Sequence, residues 1–497
     1  MKVKIPIEII NCKNFINGDF VISKGEKTQV ISPYNGKKIG EFNCTTKAEV
    51  DKAVEDASIA QKLWAEVPMK ERTKVMFNFR NILLRDLDEM AHLKCAESGK
   101  NFEEGKAGLL KGIEVLEFAI AMQNMDIGGR VEVSRGVSCE YRRIPVGVVA
   151  NITPFNFPAM VPMWTIPIAL TLGNAYIWKP SDKTPLTSNK IALALKEAGL
   201  PNGLFQVLQG TKETVEAIID HEAVKAIGFV GSTKIAKAVY DRGTHLGKRV
   251  LALGGAKNHI ILLPDANPEM AGIGISDSFT GCAGQRCMAA SVLLVVGDPK
   301  DTEKHIEKII ARASSLKLGV DMGAIITKSQ VTLLHEAIAK AESCGAKILL
   351  DGRKAKLPEG QSEYAEGYWI GPTILDNVLP GSQAATVELF GPIISIIRCK
   401  DISVAMKIEN SVSYGNACSV FTSNGGLAEK IIKMASTGMV GVNVGVPVPR
   451  EPFSFGGINS SKYGHGDITG QHSLDFWSNV KKVTIKWENQ NDNNWMS

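Results

Sequence analysis

The chain has 497 residues, of which 44% are hydrophobic and 22% are charged, and its formal net charge is +5. This composition is typical of a water-soluble globular protein with enough chain for two or three packed units. Basic residues are scattered rather than clustered, no CxxC pair occurs among nine cysteines, and the histidines lack ligand spacing. We therefore expect no nucleic-acid partner, no bound metal and no disulfide framework, and we expect the reducing cytoplasm as the compartment.

The N-terminal residues are too soon interrupted by charge to resemble a signal peptide. Short β-type runs with turn signals fill residues 15–43. Thr46 and Glu49 then form a capping box that predicts the start of a helix. Apolar residues at helical spacing predict further helices over 69–98 and 103–122.

Residues 144–178 carry no charge, which by itself would suit a membrane span. Five prolines fall within this stretch, and no helix survives that density. A buried strand, an ordered turn and a packed helix explain it better, so we expect no membrane association.

From residue 146 onward, predicted strands and helices alternate, which is typical of parallel α/β sheets. The first series of strands is predicted at 146–152, 175–178, 204–208, 226–230 and 248–253. The second is predicted at 259–263, 292–297, 347–350, 393–398, 418–422 and 439–444. We predict an α/β fold of two Rossmann-like open-sheet domains with a cleft between them. The segments 126–145 and 465–490 are extended and could form a small β-extension at a subunit interface.

Cys287 is the candidate nucleophile, because it follows a run of small residues that would let a substrate approach. Arg286 next to it is expected to favour the reactive thiolate. A lone cysteine is also commonly core packing, so the residue type alone does not decide between the two interpretations.

Three other motifs lie at the ends of predicted strands, where ligands bind in open α/β sheets, and a fourth precedes a tight turn. Asn156, in the Pro-Phe-Asn-Phe-Pro turn, could donate to an oxyanion, although Asn is also a common turn former. Lys179 and Asp182 could hold ribose hydroxyls. Ser232 could bind a phosphate or simply cap a helix. Glu388 could be a ligand or a solvated carboxylate.

Together these motifs resemble the aldehyde dehydrogenase superfamily in their order and spacing across nearly the whole chain. The resemblance implies an NAD-binding domain of 1–125 and 146–255, a catalytic domain of 256–445, and oligomerisation segments at 126–145 and 465–490. It implies a homo-oligomer, either a dimer or a tetramer. Its implied residue roles are Cys287 as nucleophile, Asn156 in the oxyanion hole, and NAD binding by Thr153, Phe155, Lys179, Asp182, Lys183, Ser232 and Glu388.

The chain departs from the common family pattern at Ala252, where the family carries the Glu that activates water. Alanine cannot act as a general base, so a thiol acceptor such as coenzyme A becomes the better candidate. The residues around Lys257 and Cys287 resemble the coenzyme A-acylating methylmalonate-semialdehyde dehydrogenases. That resemblance implies Arg286 and position 111 as clamps for a substrate carboxylate, but Lys111 stands where the subfamily usually has Arg.

The sequence therefore predicts NAD-dependent oxidation of a small carboxylated aldehyde through a thioacyl intermediate on Cys287, with coenzyme A as co-substrate. Malonate or methylmalonate semialdehyde would give acetyl-CoA or propionyl-CoA. The alternatives are a hydrolytic enzyme that uses another base and releases a free acid, and a non-catalytic protein that retains the fold.

Overall fold

The computed structural model describes residues 1–125 and 128–487. Its first part contains five short strands followed by four helices: β1 (Ile10–Cys12), β2 (Asn14–Ile16), β3 (Asp19–Val21), β4 (Lys27–Ile31), β5 (Lys38–Asn43), α1 (Lys47–Glu66), α2 (Met69–Arg85), α3 (Leu87–Ser98) and α4 (Phe102–Ala121). The capping box at Thr46 is confirmed. The prediction of one helix over 69–98 is wrong, because Asp86 leaves the helical conformation and separates α2 from α3.

The chain continues through a hairpin into alternating strands and helices: β6 (Gly128–Ser134), β7 (Val137–Pro145), β8 (Val148–Ile152), α5 (Met160–Met163), α6 (Ile166–Thr171), β9 (Ala175–Lys179), α7 (Leu186–Glu197), β10 (Phe205–Val207), α8 (Lys212–Asp220), β11 (Val224–Val230), α9 (Thr233–His245) and β12 (Arg249–Leu253). The first predicted strand series is confirmed. Its strands form the parallel centre of an eight-stranded sheet in the order β12-β11-β8-β9-β10.

The remaining elements are β13 (Asn258–Leu262), α10 (Pro268–Thr280), β14 (Ala290–Val296), α11 (Pro299–Ser314), α12 (Lys328–Ser343), β15 (Lys347–Leu350), β16 (Thr373–Asp376), α13 (Gln383–Thr386), β17 (Ile393–Cys399), α14 (Ile402–Glu409), β18 (Ala417–Phe421), α15 (Gly425–Met434), β19 (Met439–Val442), β20 (Lys462–Tyr463), α16 (Ser473–Trp477) and β21 (Ser478–Lys486). Strands β13 to β19 form a seven-stranded sheet in the order β15-β16-β17-β14-β13-β18-β19. The six strands predicted here are confirmed, and β16 is an additional one.

Both sheets receive antiparallel strands at their edges. Strands β2 and β3 continue the eight-stranded sheet beyond β10, and β20 pairs with β12 at the opposite edge. Strand β15 is the antiparallel edge of the seven-stranded sheet. Both sheets are therefore mixed, and central parallel strands such as β8, β9 and β13 are buried on both faces. The domain boundaries drawn from the sequence stay a prediction.

The hairpin and the tail meet as a separate three-stranded sheet. Strand β7 pairs along its whole length with β21 and, on its other side, with β6. The tail is not extended throughout, since α16 precedes β21. Residues 126–127 and 488–490 of the two predicted segments lie outside the described residues. In the described part of the chain, no helix combines the length and apolarity needed to cross a bilayer.

Candidate active site

Cys287 lies at the end of a sharp turn that follows α10. Cys282, Ala283 and Gly284 all adopt left-handed backbone, with φ of 53°, 53° and 71°. A Cβ on Gly284 would lie 2.1 Å from the carbonyl oxygen of Gly391, so only glycine allows the turn to pack against that segment. The small residues noted in the sequence thus fix the path of the backbone that presents the thiol.

Two asparagine side chains hydrogen-bond to the backbone of this turn. The Nδ2 atoms of Asn258 and Asn416 each donate to the carbonyl oxygen of Cys287 at 2.8 Å. Gln285 anchors the other side, because its Oε1 accepts from the N–H of Ile326 at 3.0 Å. Sequence reasoning missed these residues. Asn258 follows Lys257, in a stretch that carries the resemblance to the methylmalonate-semialdehyde dehydrogenases, but Asn416 carries no local signal.

A cavity of about 600 Å³ opens at the carboxyl ends of β8, β9 and β11. The structure brings every predicted cofactor residue and both predicted catalytic residues to its wall: Thr153, Phe155, Asn156, Lys179, Asp182, Lys183, Ser232, Cys287 and Glu388. Parallel strands end at the same sheet edge, so motifs far apart in sequence converge there. The ring of Phe155 packs edge-on against Phe390, 5.8 Å between centroids, where the two sheets' segments meet.

The donors of this cavity suit a dinucleotide. Ser232 is the N-cap of the 13-residue helix α9, and its side chain makes no capping hydrogen bond, so hydroxyl and helix terminus both remain available to a phosphate. Burial lowers the pKa of Lys179 to about 8. Asp182 and Lys183 form a weak ion pair at 3.9 Å at the exposed mouth. A helix N-terminus without a side-chain cap, beside cationic and carboxylate groups, fits the predicted NAD.

Glu388 lies at the other end of the same cavity, near Cys287. Its Oε1 accepts from the N–H of Ala256 at 3.0 Å, and its Oε2 fills the space where a Cβ on Gly255 would be. Burial raises the pKa of Glu388 to about 6. The carboxylate is therefore held in place and can accept hydrogen bonds from ribose hydroxyls.

A second cavity of about 630 Å³ reaches Cys287 from the opposite side. Apolar side chains including Met160, Trp164 and Phe455 form much of its wall. Its charged residues are three cations and two carboxylates: Lys111, Arg286, Arg450, Glu103 and Glu104. Cys287 borders both cavities, so a small molecule in one and a cofactor in the other could meet at its sulfur.

The cations of the second cavity are partly neutralised by neighbouring carboxylates. Lys111 Nζ lies 2.6 Å from Glu114 Oε2 and 3.9 Å from Glu451 Oε2. Arg286 donates through Nε to the Cys282 sulfur at 3.2 Å. Both predicted clamp residues therefore border the cavity, and Lys111 would have to share its charge between Glu114 and a substrate carboxylate.

Arg286 favours the thiolate of Cys287, as expected, but other effects outweigh it. Burial and, to a smaller extent, Glu388 raise the pKa of Cys287 to about 12, although its own backbone N–H, Arg286 and Lys100 each lower it. The Arg286 guanidinium donates to the Cys282 sulfur and lies 3.7 Å from Glu104. These two groups therefore neutralise much of its positive charge. In the absence of ligands the thiol form dominates, because the free-energy cost of removing the thiolate from water exceeds its stabilisation by the nearby cations.

Asn156 and Ala252 complete the surroundings of the thiol. Asn156 Nδ2 donates to the carbonyl oxygen of Gln285 at 3.0 Å, which orients the amide and leaves its second N–H for another acceptor. Ala252 is wholly buried in β12 and provides no carboxylate. The Asn156 amide can therefore stabilise an oxyanion, but position 252 supplies no base to activate water.

Comparisons with known proteins agree with this geometry. The model of the aldehyde dehydrogenase family matches residues 20–483. Malonate-semialdehyde dehydrogenase 2 of Oceanobacillus iheyensis is 37% identical over 485 residues, which cover 96% of this chain and 98% of that protein. Malonate-semialdehyde dehydrogenase 1 of Geobacillus kaustophilus is 38% identical over 484 residues, with the same 96% and 98% coverage.

Solved structures show the same fold. A crystal structure from Sinorhizobium meliloti 1021, described as a methylmalonate-semialdehyde dehydrogenase in complex with NAD, has a TM-score of 0.94 at 35% identity and covers 98% of this chain and 100% of its own. The methylmalonate-semialdehyde dehydrogenase of Oceanimonas doudoroffii has a TM-score of 0.94 at 35% identity, with coverage of 97% and 99%. The predicted fold is thereby confirmed, and the chain belongs to the aldehyde dehydrogenase family.

Proposed function

We propose that this enzyme oxidises malonate semialdehyde or methylmalonate semialdehyde with NAD and transfers the acyl group to coenzyme A. The observation that carries the proposal is the position of Cys287 at the junction of two cavities. One cavity has the donors of a dinucleotide site, and the other combines apolar walls with three cations and two carboxylates, an excess of one positive charge. A small aldehyde that bears a carboxylate suits the second cavity.

NAD binding is assigned to the first cavity. Ser232 and the N-terminus of α9 would hold the pyrophosphate, Lys179 and Asp182 the adenosine ribose, and Glu388 the nicotinamide ribose. Thr153, Phe155 and Lys183 complete the wall along the cofactor path. Bound NAD supplies the acceptor for the hydride that leaves the aldehyde carbon.

The protein's own residues drive formation of the thioester. The Cys287 sulfur, after losing its proton, donates an electron pair to the aldehyde carbon, and the carbonyl π pair moves to the oxygen. Asn156 Nδ2 and the backbone N–H of Cys287 donate to this oxyanion. When the oxyanion re-forms the carbonyl, hydride leaves the carbon and the acyl group stays on sulfur.

The carboxylate of the substrate leaves before acyl transfer. Arg286 and Lys111 would hold it at the far end of the second cavity. The bond between the α-carbon and the carboxylate breaks, carbon dioxide departs, and the α-carbon keeps the electron pair and takes a proton from water. An acetyl or propionyl group then remains on Cys287.

Coenzyme A fits the acceptor role because position 252 has no carboxylate to activate water. Its thiol, as thiolate, adds to the thioester carbon, and the sulfur of Cys287 leaves with the electron pair. Glu388 is a buried carboxylate near Cys287, and hydrolysis with Glu388 as base is the competing outcome.

NADH formation from each semialdehyde, with and without coenzyme A, tests the reaction. The proposal expects turnover that depends on the thiol and an acyl-CoA product detectable by mass spectrometry. Equal steady turnover without any thiol would show a hydrolytic enzyme. Full NADH production by Cys287→Ala would overturn the nucleophile, and absence of both NAD binding and turnover would indicate a non-catalytic protein.

We place the enzyme in the cytoplasm as a homo-oligomer, either a dimer or a tetramer. All nine cysteines are free, which suits a reducing compartment. Within the described residues, β6 is one of the two edge strands of the three-stranded sheet, and Val131 and Val133 on it are more than half exposed. Such an edge is a natural place for another subunit to pair. Light scattering would give the subunit number, and a monomer at micromolar concentration would refute the assembly.

A further inference from the structure

Glu114 is a carboxylate beside the second cavity to which the reaction described above assigns no role. It lies on α4, one turn after Lys111, and each of its two oxygens contacts a different cation. Lys111 Nζ donates to Glu114 Oε2 at 2.6 Å, and Arg450 Nη1 donates to Glu114 Oε1 at 3.4 Å. Glu114 therefore bridges two of the three cations that line this cavity.

The segment that carries Arg450 faces the second cavity at every second residue. The residues of this segment that line the wall are Val444, Val446, Val448 and Arg450, and such alternation is typical of an extended chain. Lys111 and Arg450 thus reach the same cavity from two parts of the chain, and Glu114 lies between them. The Arg450 side chain is 75% exposed, which places this bridge on the solvent side of the cavity.

Two other carboxylates near these cations are more firmly held than Glu114. Glu104 also accepts from the backbone N–H of Cys282, which fixes it to the nucleophile turn. Glu451 lies 3.9 Å from Lys111 Nζ, and its side chain is only 11% exposed. The Glu114 side chain is 38% exposed, and within the described residues both hydrogen bonds that its carboxylate accepts come from side-chain cations. An entering carboxylate can therefore displace Glu114 without breaking a hydrogen bond to the backbone.

We propose that Glu114 is a specificity-determining residue that competes with the substrate carboxylate for Lys111 and Arg450. The proposal rests on the proposed function, because it takes a carboxylated aldehyde as the substrate of the second cavity. Two carboxylates at the same pair of cations repel each other, so the substrate carboxylate binds there as Glu114 moves toward solvent. An uncharged aldehyde needs no such displacement and contacts only the apolar wall. Glu114 therefore reduces the preference of the enzyme for carboxylated over uncharged aldehydes.

Steady-state kinetics of Glu114→Gln with malonate semialdehyde and with propanal test this role. Loss of the competing charge should lower KM for the semialdehyde about threefold, the size expected for partly exposed ion pairs, and change kcat by less than about twofold. KM for propanal should stay unchanged. Glu114→Asp, which keeps the charge, should return KM for the semialdehyde most of the way to the wild-type value. Glu117→Gln is the matched control and should have wild-type KM values, because Glu117 lies on the same helix but pairs with Arg80 at 2.6 Å, away from the residues that line the cavity.

A wild-type ratio of the two KM values in Glu114→Gln would overturn the proposal, and so would an equal fall in KM for propanal, which would indicate a general change in cavity shape. In the Lys111→Met background, Glu114→Gln should lose most of its effect, and an undiminished effect would refute competition at Lys111. Inhibition of propanal oxidation by propionate separates this test from the proposed function. Absence of semialdehyde turnover by the wild type would refute the proposed substrate, whereas an unchanged inhibition constant for propionate in Glu114→Gln would refute only the role of Glu114.

Discussion

Gly284 is the residue on which the path of the nucleophile turn depends, and Gly284→Ala is therefore an informative change. Its φ of 71° would cost an alanine about 1 kcal/mol in any setting. In addition, its Cβ would stand 2.1 Å from the carbonyl oxygen of Gly391. An unstrained contact is about 1 Å or more longer, so the turn or the facing segment must move by about that amount.

A displacement of about 1 Å at a reacting group can cost about 100-fold in rate. We expect kcat of Gly284→Ala to fall by roughly that factor and the free energy of unfolding to fall by more than about 1 kcal/mol, the φ cost alone. Gly247→Ala is the matched control, because Gly247 has φ of 70° and nothing within 4 Å of its Cβ position. It should lose about 1 kcal/mol and keep its kcat.

Steady-state kinetics and urea unfolding of both variants check this expectation. If Gly284→Ala matches Gly247→Ala in both kcat and unfolding free energy, the close packing of the turn against Gly391 does not control the position of Cys287. Gly284 and Gly247 share nearly the same φ, so the contact that a Cβ at Gly284 makes with Gly391 is what this comparison tests.

Three further changes test other parts of the site. Asn156→Ala should lower kcat by about 100-fold to 1000-fold with little change in KM, as expected for loss of an oxyanion donor, and stopped-flow hydride transfer at wild-type rate would exclude that role. Lys111→Met should raise KM for a semialdehyde about tenfold and leave KM for propanal unchanged, and equal shifts would mean that Lys111 does not bind the carboxylate. Burial lowers the pKa of Lys257 from 10.5 to about 7, so the unfolded chain binds more protons between those values and stability rises with pH across that window. In Lys257→Met, urea midpoints between pH 7 and 10 should rise less steeply than in the wild type, and an unchanged slope would contradict the assignment.

The sequence by itself was enough to predict the parallel strands and the residues at their carboxyl ends. Asn156 and Ser232 follow strands β8 and β11, and Lys179 is the last residue of β9; the ends of these strands meet at one edge of the sheet. Alternation of apolar strands with capped helices is a local property, and convergence of strand ends follows from parallel topology. The absence of a carboxylate at Ala252 was also visible directly, since it needs only the residue's identity.

Only the tertiary structure decided which groups act on Cys287. Arg286 adjoins it in sequence yet turns toward Cys282 and Glu104, whereas Lys100 and Asn416 come from distant segments. Such contacts depend on how two sheets and their loops pack, and no local pattern encodes them. The ionisation of the thiol likewise depends on burial against opposing charges, a balance that exists only in the folded chain.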